Sequence, residues 1–381
     1  MELFVGTCYF EIDASGEPAL RSVLEKSSQV GADAPQNPSY LALHPTLPVL
    51  YSTDELLDSG VVWSYTIDRD AKQLSVLNKV DSLGTSAAFV SVSKDGRFLF
   101  VANYAVAASS PAVVFALDEQ GRIGEAVSIV SCENVPDVSF PGPNEPRQDI
   151  PHPHMSIEDE AATGEERLVL IPDLGSDCVH EVTLNAQGKQ TRHEYAFLPG
   201  GWGPRHVAIR ASDRTRLVVC ELTSMLCLVP WKAKRDAQDT TKGPLRDATQ
   251  AISLLDGSDE PKSDATWTAA AIQLHPNDKF VYCSTRNMGS STSTGRVTAF
   301  RLVDAEDDTG TRAEFVCCMN SGGNVPREMK LDPTGAFLYV AHQDSDNIEC
   351  FAVDQETGTL CPDKTRSFTF GTPVGLCFSS I

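Results

Sequence analysis

The chain has 381 residues, 52 of them acidic and 31 basic, with a formal net charge of -21 at pH 7 and 41% hydrophobic residues. This negative charge argues against nucleic acid or an anionic membrane surface as a partner. The composition is that of a soluble globular protein, and it contains no apolar run near the roughly 20 residues needed to span a bilayer.

The start of the chain and its cysteines indicate a reducing compartment. Met1 to Val5 follow a strand-like pattern without the basic start and long apolar region of a signal peptide. The 11 cysteines are an odd number and fall mostly in apolar runs, which favours buried free thiols over a disulfide framework. The adjacent Cys317 and Cys318 have no paired ligands at metal-finger spacing. We therefore expect a cytoplasmic protein that needs no metal or organic cofactor.

A pair of short strands joined by a tight turn recurs along the chain. The pairs are 40–43 with 50–53, 89–92 with 99–102, 154–157 with 168–171, 207–209 with 217–220, 271–274 with 281–284, and 328–331 with 338–341. A seventh copy has only its first run, 375–378, before the last residue, Ile381. Further strand-like runs follow the pairs, and four strands per unit at this period are typical of propeller blades.

The truncated seventh copy explains how the fold would close. Leu3 to Thr7 match the second strand that this copy lacks, and pairing the two ends would cover an open sheet edge. We predict an all-β fold: one seven-bladed β-propeller domain over residues 1–381, with four-stranded antiparallel blades and a ring closed by the N-terminal strand. The alternative, a two-domain β-sandwich, does not explain the truncated final repeat.

Two inserts interrupt the repeat. Residues 128–152 are rich in proline, carry Arg147 and Gln148 and lead into His154, which predicts a functional loop over the site. Residues 232–266 mix charged side chains with a short strand at 251–255, and we expect them to be solvated surface.

Strand ends should bring polar residues together. In an antiparallel pair, the start of the first strand and the end of the second lie at one edge, and in a propeller the first strands line the central channel. The positions just before the first strands are Ser39/Tyr40, Ala88/Phe89, Pro153/His154, Arg205/His206, Ala270/Ala271, Arg327/Glu328 and Val374/Gly375. Those just after the second strands are Asp54/Glu55, Asn103/Tyr104, Asp173, Glu221, Thr285/Arg286, His342/Gln343 and Thr7/Cys8. We expect both sets to meet at one mouth.

Three arginines, two histidines and Glu221 share this predicted mouth. Arginine binds carboxylate or phosphate through two parallel hydrogen bonds, which suits an anionic substrate. Glu221 beside a histidine would serve as a general base or acid. A structural salt bridge between Arg205 and Glu221 is an equally good interpretation of the local sequence.

Other polar residues have structural interpretations. His206 follows an arginine on the same strand, so its side chain should point to the opposite face and pack between blades. Asp173 is expected to cap the turn at 172–175. Asp54, Asn103 and Asp173 are an alternative cation site, but no ligand spacing requires one. The chain has no Gly-rich phosphate loop and no Gly-x-Ser-x-Gly elbow, so neither dinucleotide binding nor covalent serine chemistry is indicated.

Five short motifs occur in order along essentially the whole chain. They are Pro151-His152-Pro153-His154, Pro172-Asp173-Leu174-Gly175, Gly203-Pro204-Arg205-His206 with Glu221-Leu222, Ser284-Thr285-Arg286, and Pro326-Arg327. Together they resemble the seven-bladed propeller lactonase family, which includes the bacterial propeller-type 6-phosphogluconolactonase and the fungal 3-carboxy-cis,cis-muconate cyclase. Thr7-Cys8 departs from this resemblance, because the lactonases often carry Thr-Tyr there.

The resemblance implies a site and a reaction. The implied active-site residues are His154, Arg205, Glu221 and Arg286, with Arg327, Gln343 and Arg147 as substrate-binding additions. The implied substrate is the lactone of a phosphorylated six-carbon sugar acid. The arginines would hold the phosphate and polarise the ring carbonyl. Glu221 would activate water and His154 would protonate the leaving oxygen, or the two would exchange roles.

Two other functions stay open at this point. A muconate cycloisomerase would use the same arginines for substrate carboxylates and an acid-base residue for lactone closure. A non-catalytic propeller scaffold would bind a protein on the same face, because a fold alone does not fix a function. For the leading hypothesis we expect a small anionic lactone as the only ligand and a monomer or weak homo-oligomer.

Overall fold

The chain folds as β-sheet. The computed structural model describes residues 2–5, 8–11, 21–22, 35–71, 73–104, 111–160, 166–231, 247–258, 266–289, 294–305 and 310–379. These residues form 28 strands in seven four-stranded sheets. The prediction of an all-β fold with four-stranded antiparallel blades is confirmed. Within the described ranges, no helix is long and apolar enough to cross a membrane.

Four sheets lie in the first of two compact units, which comprises Met1–Ser176, His180–Tyr195 and Val374–Ile381, except that residues 178–179 and 196–197 of the fourth sheet belong to the second unit. One sheet contains β1 (Glu2–Val5), β2 (Cys8–Glu11), β3 (Arg21–Ser22) and β28 (Leu376–Ser379), and the next β4 (Leu41–Leu43), β5 (Val49–Leu56), β6 (Ser59–Asp68) and β7 (Gln73–Asp81). The third contains β8 (Ala87–Val92), β9 (Phe98–Asn103), β10 (Ala112–Leu117) and β11 (Ile123–Val130). The fourth contains β12 (Ile157–Glu158), β13 (Arg167–Asp173), β14 (Cys178–Leu184) and β15 (Gln190–Phe197).

Three sheets lie in the second unit, which comprises Asp177–Val179 and Ala196–Pro373. They contain β16 (Pro204–Ile209), β17 (Arg216–Cys220), β18 (Met225–Val229) and β19 (Gln250–Ser253); β20 (Trp267–Leu274), β21 (Phe280–Asn287), β22 (Arg296–Asp304) and β23 (Thr311–Asn320); and β24 (Pro326–Leu331), β25 (Phe337–His342), β26 (Asn347–Val353) and β27 (Leu360–Thr369). Each hydrophobic cluster of this unit draws side chains from two consecutive sheets. The sheets therefore pack face to face, as alternating apolar residues on successive strands predict.

The two ends of the chain pair with each other. Strand β1 lies between β28 and β2, and Phe4 stands opposite Cys377 on β28. The aromatic ring of Phe4 is fully buried in a cluster with residues of the β4–β7 sheet, including Leu50 and Trp63. The N-terminal strand thus supplies the second strand that the last repeat lacks, as the sequence predicts. Thr7, at the end of the predicted strand, lies outside the described residues.

The tight turns between paired strands connect consecutive sheets. His44 Nε2 lies 3.0 Å from the carbonyl oxygen of Gly96, which is in the turn of the next sheet. His275 makes the same contact with Gly335, also at 3.0 Å. Both glycines have positive φ, and a Cβ on either would lie about 2.4–2.5 Å from the histidine ring. The turn residues that mark the repeat in the sequence therefore also hold neighbouring sheets together.

Three predicted boundaries are wrong. The first strand of the third repeat begins at Ile157 rather than His154, because Pro153 has no N–H to donate and pairs only through an isolated bridge to Asp173. The strand predicted at 251–255 is β19, which completes a four-stranded sheet instead of lying in a solvated insert. Strand β11 extends to Val130 into the first predicted insert. Residues 232–246 and 259–265 of the second insert lie outside the described residues.

Replacing Phe4 by Ala tests how much the pairing of the chain ends stabilises the fold. The change removes a fully buried ring, so we expect the free energy of unfolding to fall by about 3–5 kcal/mol in urea titrations. Phe315→Ala is the control, because its ring is 41% exposed on an outer strand. Equal losses in the two variants would contradict a stabilising role for the N-terminal strand.

Candidate active site

Arginines stand at β-bulges near the start of two first strands. The register of β16 with β17 shifts between Pro204 and His206, which leaves Arg205 as the extra residue. The register of β24 with β25 shifts between Pro326 and Glu328 and leaves Arg327 in the same position. A bulge redirects the side chain of its extra residue away from the regular alternation of the strand. Arg205 and Arg327 are therefore set apart from the residues that pack between sheets.

A second set of equivalent positions follows the second strands. In three sheets the residue after the ladder donates its backbone N–H to a carbonyl just before the first strand. The bonds are Tyr104 N to Ser86 O (2.9 Å), Glu221 N to Gly203 O (2.7 Å) and Gln343 N to Val325 O (3.0 Å). The same bond closes each strand pair beside its bulge. Tyr104, Glu221 and Gln343 thus occupy one repeated position, as the alignment of strand ends predicts.

Glu221 bridges two arginines. Its Oε2 accepts a hydrogen bond from Arg205 Nη1 at 2.5 Å, and Arg286 Nη2 lies 3.1 Å from its Oε1. Glu221 is 1% exposed, Arg205 4% and Arg286 9%. The predicted contact of Arg205 with Glu221 is confirmed, and the structure adds Arg286 to it. Two guanidinium groups and one carboxylate leave this buried cluster with one net positive charge.

Backbone carbonyls of β20 fix both arginines. Arg205 Nε donates to Ala270 O at 3.1 Å, and Arg286 Nη2 donates to Ala269 O at 3.0 Å. The register of β20 with β21 shifts between Ala269 and Ile272, so the backbone here departs from the regular ladder and offers its oxygens to side chains. The guanidinium groups are consequently held from two sides, by the carboxylate of Glu221 and by a neighbouring strand.

Asp177 holds the glycine-rich segment that precedes Arg205. Its carboxylate accepts the backbone N–H groups of Gly201 (2.7 Å), Trp202 (2.9 Å) and Gly203 (2.8 Å). Gly201 and Gly203 have φ angles of 84° and 65°, which favour glycine. The segment is therefore a preset turn that delivers the chain into β16 at the bulge. Sequence reasoning missed Asp177, because its partners lie more than 20 residues away.

Arg327 and Gln343 form a second, less buried pair in the same unit. Arg327 Nη1 donates to Gln343 Oε1 at 3.3 Å, and both side chains are half-buried. On the opposite side of the bulge, Glu328 is 2% exposed with its Oε1 3.7 Å from Lys330 Nζ. Burial raises the pKa of Glu328 above its ordinary value. The predicted substrate-binding residues Arg327 and Gln343 are thus brought together, although their role stays a prediction.

His206 is buried, and its predicted packing role stays a prediction. It is 4% exposed. Burial, followed by the charge of Arg205, holds the pKa of His206 well below its usual value. A neutral imidazole in this position adds no further positive charge to the cluster of Arg205, Glu221 and Arg286.

In the first unit, Tyr104 contacts Arg147 and His152 of the proline-rich segment, and His154, which follows it. Arg147 Nη2 donates to Tyr104 Oη at 3.1 Å. The rings of Tyr104 and His152 stack at 4.6 Å, and His154 meets Tyr104 edge-on at 5.2 Å. His154 is 5% exposed, whereas Arg147 and Tyr104 are half-buried. Arg147 and His154 are therefore brought to the same tyrosine, which sequence reasoning placed at a strand end without assigning it to the site.

Asp173 caps its turn, as predicted. Its Oδ1 accepts the N–H groups of His152 (2.6 Å), Gly175 (2.9 Å) and Ser176 (3.2 Å), and its Oδ2 accepts from Ser176 Oγ (2.7 Å) and His180 Nε2 (3.2 Å). Burial alone would raise its pKa, but the hydrogen bond and charge of His180 and the backbone N–H groups hold the pKa below its ordinary value. Asp173 thus fixes the Pro151–His154 segment on which His154 stands.

One group of potential metal ligands lies in the described part of the chain. Cys132, Asp173 and His180 place ligand atoms within 4.8 Å of one another. Both oxygens of Asp173 accept hydrogen bonds, Oδ1 from the turn and Oδ2 from His180. Asp54 accepts the N–H groups of Gln36 and Asn37, and Asn103 donates to two backbone carbonyls. The alternative cation site of the sequence thus has a structural explanation at each residue.

Comparison with known proteins gives one consistent family. Residues 21–378 match the family model described as "Lactonase, 7-bladed beta-propeller". The chain is 28% identical to the 6-phosphogluconolactonase of Bacillus subtilis over 324 residues, which are 85% of this chain and 82% of that protein. It is also 28% identical to a probable 6-phosphogluconolactonase of Arthroderma benhamiae over 346 residues, which are 89% and 79% of the two chains.

Solved structures agree on the fold. The periplasmic gluconolactonase of Pseudomonas aeruginosa has a TM-score of 0.78 and 24% identity, with 100% of this chain and 99% of that chain covered. A putative 6-phosphogluconolactonase of Bacteroides fragilis has a TM-score of 0.75 and 22% identity, with 100% and 98% covered. At this level of identity the likeness shows the fold.

Glu221→Gln tests the bridge between the arginines. The amide keeps the shape but removes the charge that offsets two buried guanidinium groups, so we expect a loss of about 3 kcal/mol in the free energy of unfolding. Glu349→Gln is the matched control, because Glu349 is 7% exposed and accepts a hydrogen bond from the neutral Asn347. If both variants lose the same stability in urea titrations, the arginines do not depend on the charge of Glu221.

His342, which precedes Gln343, makes stability depend on pH. It is 0% exposed, and burial lowers its pKa from 6.5 to about 4. The unfolded chain therefore binds a proton that the folded protein does not, so stability is full above pH 6.5 and falls as the pH drops toward 4. We expect His342 to account for about 2 kcal/mol of the loss between pH 7.5 and 5.0.

The check is the difference in unfolding free energy between these two pH values for the wild type and for His342→Gln. Other buried histidines contribute equally to both proteins, so the variant should show a smaller difference. An unchanged difference would contradict the neutral state of His342.

Proposed function

The chain belongs to the seven-bladed β-propeller lactonase family, and from this premise we propose that it hydrolyses the lactone of a phosphorylated sugar acid. The named relatives that support this substrate class are 6-phosphogluconolactonases. In this reaction water adds to the ring carbonyl, a tetrahedral oxyanion forms, and the ring oxygen leaves with a proton. The product gains a carboxylate. An enzyme for this reaction must stabilise negative charge at the former carbonyl oxygen.

The observation that carries the proposal is the bridging of Arg205 and Arg286 by Glu221. The cluster is almost fully buried, so water screens its net positive charge only weakly from an oxyanion that develops during the reaction. Guanidinium groups that are already held by carbonyls and a carboxylate need little reorganisation during the reaction. We assign to Arg205 and Arg286 the polarisation of the lactone carbonyl.

Glu221 is assigned to hold the arginines. Both of its oxygens already face guanidinium groups, and this stabilises its ionised form. A carboxylate in this state is a weak proton acceptor, so the interpretation of Glu221 as a structural partner of Arg205 is favoured over that of a base. His154 then takes the proton-transfer role, which stays a prediction from the sequence. Arg327, Gln343 and Arg147 are proposed to bind the rest of the substrate.

We further propose that the seven sheets form one closed ring and a single domain. The pairing of β1 with β28 and the seven blades of the family description support this arrangement.

The cytoplasmic location is also proposed: ten cysteines of the described residues are free thiols, which suits a reducing compartment. The expected monomer or weak homo-oligomer stays a prediction.

The test is the hydrolysis of 6-phosphogluconolactone above its spontaneous rate. We expect the wild type to hydrolyse it and Arg286→Ala to lose about 10²–10³-fold in kcat, as when an oxyanion donor is removed. Arg301→Ala is the matched control, because Arg301 is exposed on β22 of the same sheet. Its kcat should equal that of the wild type.

Assays on the same protein preparation distinguish the lactonase from the cycloisomerase and from the non-catalytic scaffold. Cyclisation of 3-carboxy-cis,cis-muconate without lactone hydrolysis would replace the proposal by the cycloisomerase. Absence of both activities in a folded protein would favour the scaffold. Equal activity of wild type and Arg286→Ala would refute the role of the arginines while leaving lactone hydrolysis in place.

A further inference from the structure

Tyr104 occupies the repeated position that carries functional groups in other sheets. Like Glu221 and Gln343, it follows the second strand of its sheet. Its backbone N–H donates to the carbonyl oxygen of the residue two positions before the bulged residue. Arg286 stands opposite Thr268 at the corresponding point of its own sheet. The bulged residue beside Tyr104 is Ala88, whose methyl group offers no chemistry. In this sheet the tyrosine is thus the polar side chain that the repeated position presents.

The hydroxyl of Tyr104 holds Arg147 in place. Arg147 Nη2 donates to it at 3.1 Å. The backbone next to Arg147 is fixed, because the buried Gln148 accepts the N–H of Gly142 and donates its Nε2 to Leu174 O. A long arginine side chain on such a loop would otherwise lose rotamer freedom on binding an anion. Because the hydrogen bond to Tyr104 already restricts the Arg147 side chain, binding an anion costs less conformational entropy.

The ring of Tyr104 supports the histidines. His152 stacks on it at an interplanar angle of 18°, while His154 stands at 70° to it. His152 is tied further, with Nδ1 at 2.8 Å from Tyr104 O and Nε2 at 2.9 Å from Asp149 Oδ1. The hydrogen bond from His152 lowers the pKa of Asp149. The orientation of the His154 imidazole is therefore set against a ring that is itself fixed.

We propose that Tyr104 is a positioning residue for recognition of the substrate phosphate. This inference rests on the proposed lactonase function. A sugar-acid lactone carries no carboxylate, so its phosphate is its only charge and the group that an arginine can use for selection. Tyr104 holds Arg147 through its hydroxyl and His154 through its ring. The two effects are separable by substitution.

The experiment measures binding and turnover in the full chain. Tyr104→Phe removes only the hydroxyl, so we expect the Kd for 6-phosphogluconate in calorimetry and the KM for 6-phosphogluconolactone to rise about ten-fold. The Kd for gluconate and the kcat should not change. Tyr104→Leu removes the ring as well and should lower kcat in addition. Tyr195→Phe is the control, a half-buried tyrosine beside His193 in the same unit, and should match the wild type.

A double variant tests whether the hydroxyl acts through Arg147. In an Arg147→Ala background, Tyr104→Phe should raise the Kd for 6-phosphogluconate no further. The proposal would be overturned if the effects of the two substitutions on Kd were fully additive. It would also be overturned if Tyr104→Phe weakened the binding of gluconate and 6-phosphogluconate equally, or left the Kd for 6-phosphogluconate unchanged. If the wild type hydrolyses no lactone while the binding pattern holds, the lactonase function falls and the positioning role of Tyr104 stands.

Discussion

A buried carboxylate between two buried guanidinium groups is the interaction on which the candidate site depends. Transferring three charged groups from water into the protein interior costs free energy, and this cost is offset only where each charged group has a close partner. Glu221 partners both arginines, and carbonyl oxygens of β20 accept from each of them. The two guanidinium groups and the carboxylate together carry one net positive charge, which favours an anion, or an oxyanion that forms during a reaction, beside the arginines.

The scaffold creates this cluster through repeated irregularities. A regular ladder would alternate its side chains between neighbouring sheets and direct none of them elsewhere. The bulge at Arg205 breaks this alternation, and the turn held by Asp177 sets the point at which the strand begins. The same bulge recurs with Arg327 and Ala88. One structural device, used several times, thus presents a different side chain in each sheet.

Much of this could be predicted from the sequence because the repeat carries the information locally. Turn residues and apolar runs placed the paired strands, and their register put Arg205 beside Glu221. Strand β12 was misplaced because Pro153 has no N–H to donate and pairs only through an isolated bridge to Asp173, while the apolar pattern of the sequence is unaltered. Tyr104 was missed because its partners come from a loop without regular structure, about 40 residues away. Asp177 was missed for the same reason. Contacts of this kind follow from tertiary structure and leave no periodic signal.

A crystal structure with bound 6-phosphogluconate tests the central claim most directly. The account predicts that the carboxylate formed from the lactone carbonyl lies within hydrogen-bonding distance of the guanidinium groups of Arg205 and Arg286, with Glu221 still between them. A product carboxylate bound away from both arginines, or a Glu221 side chain displaced from them by the ligand, would contradict it.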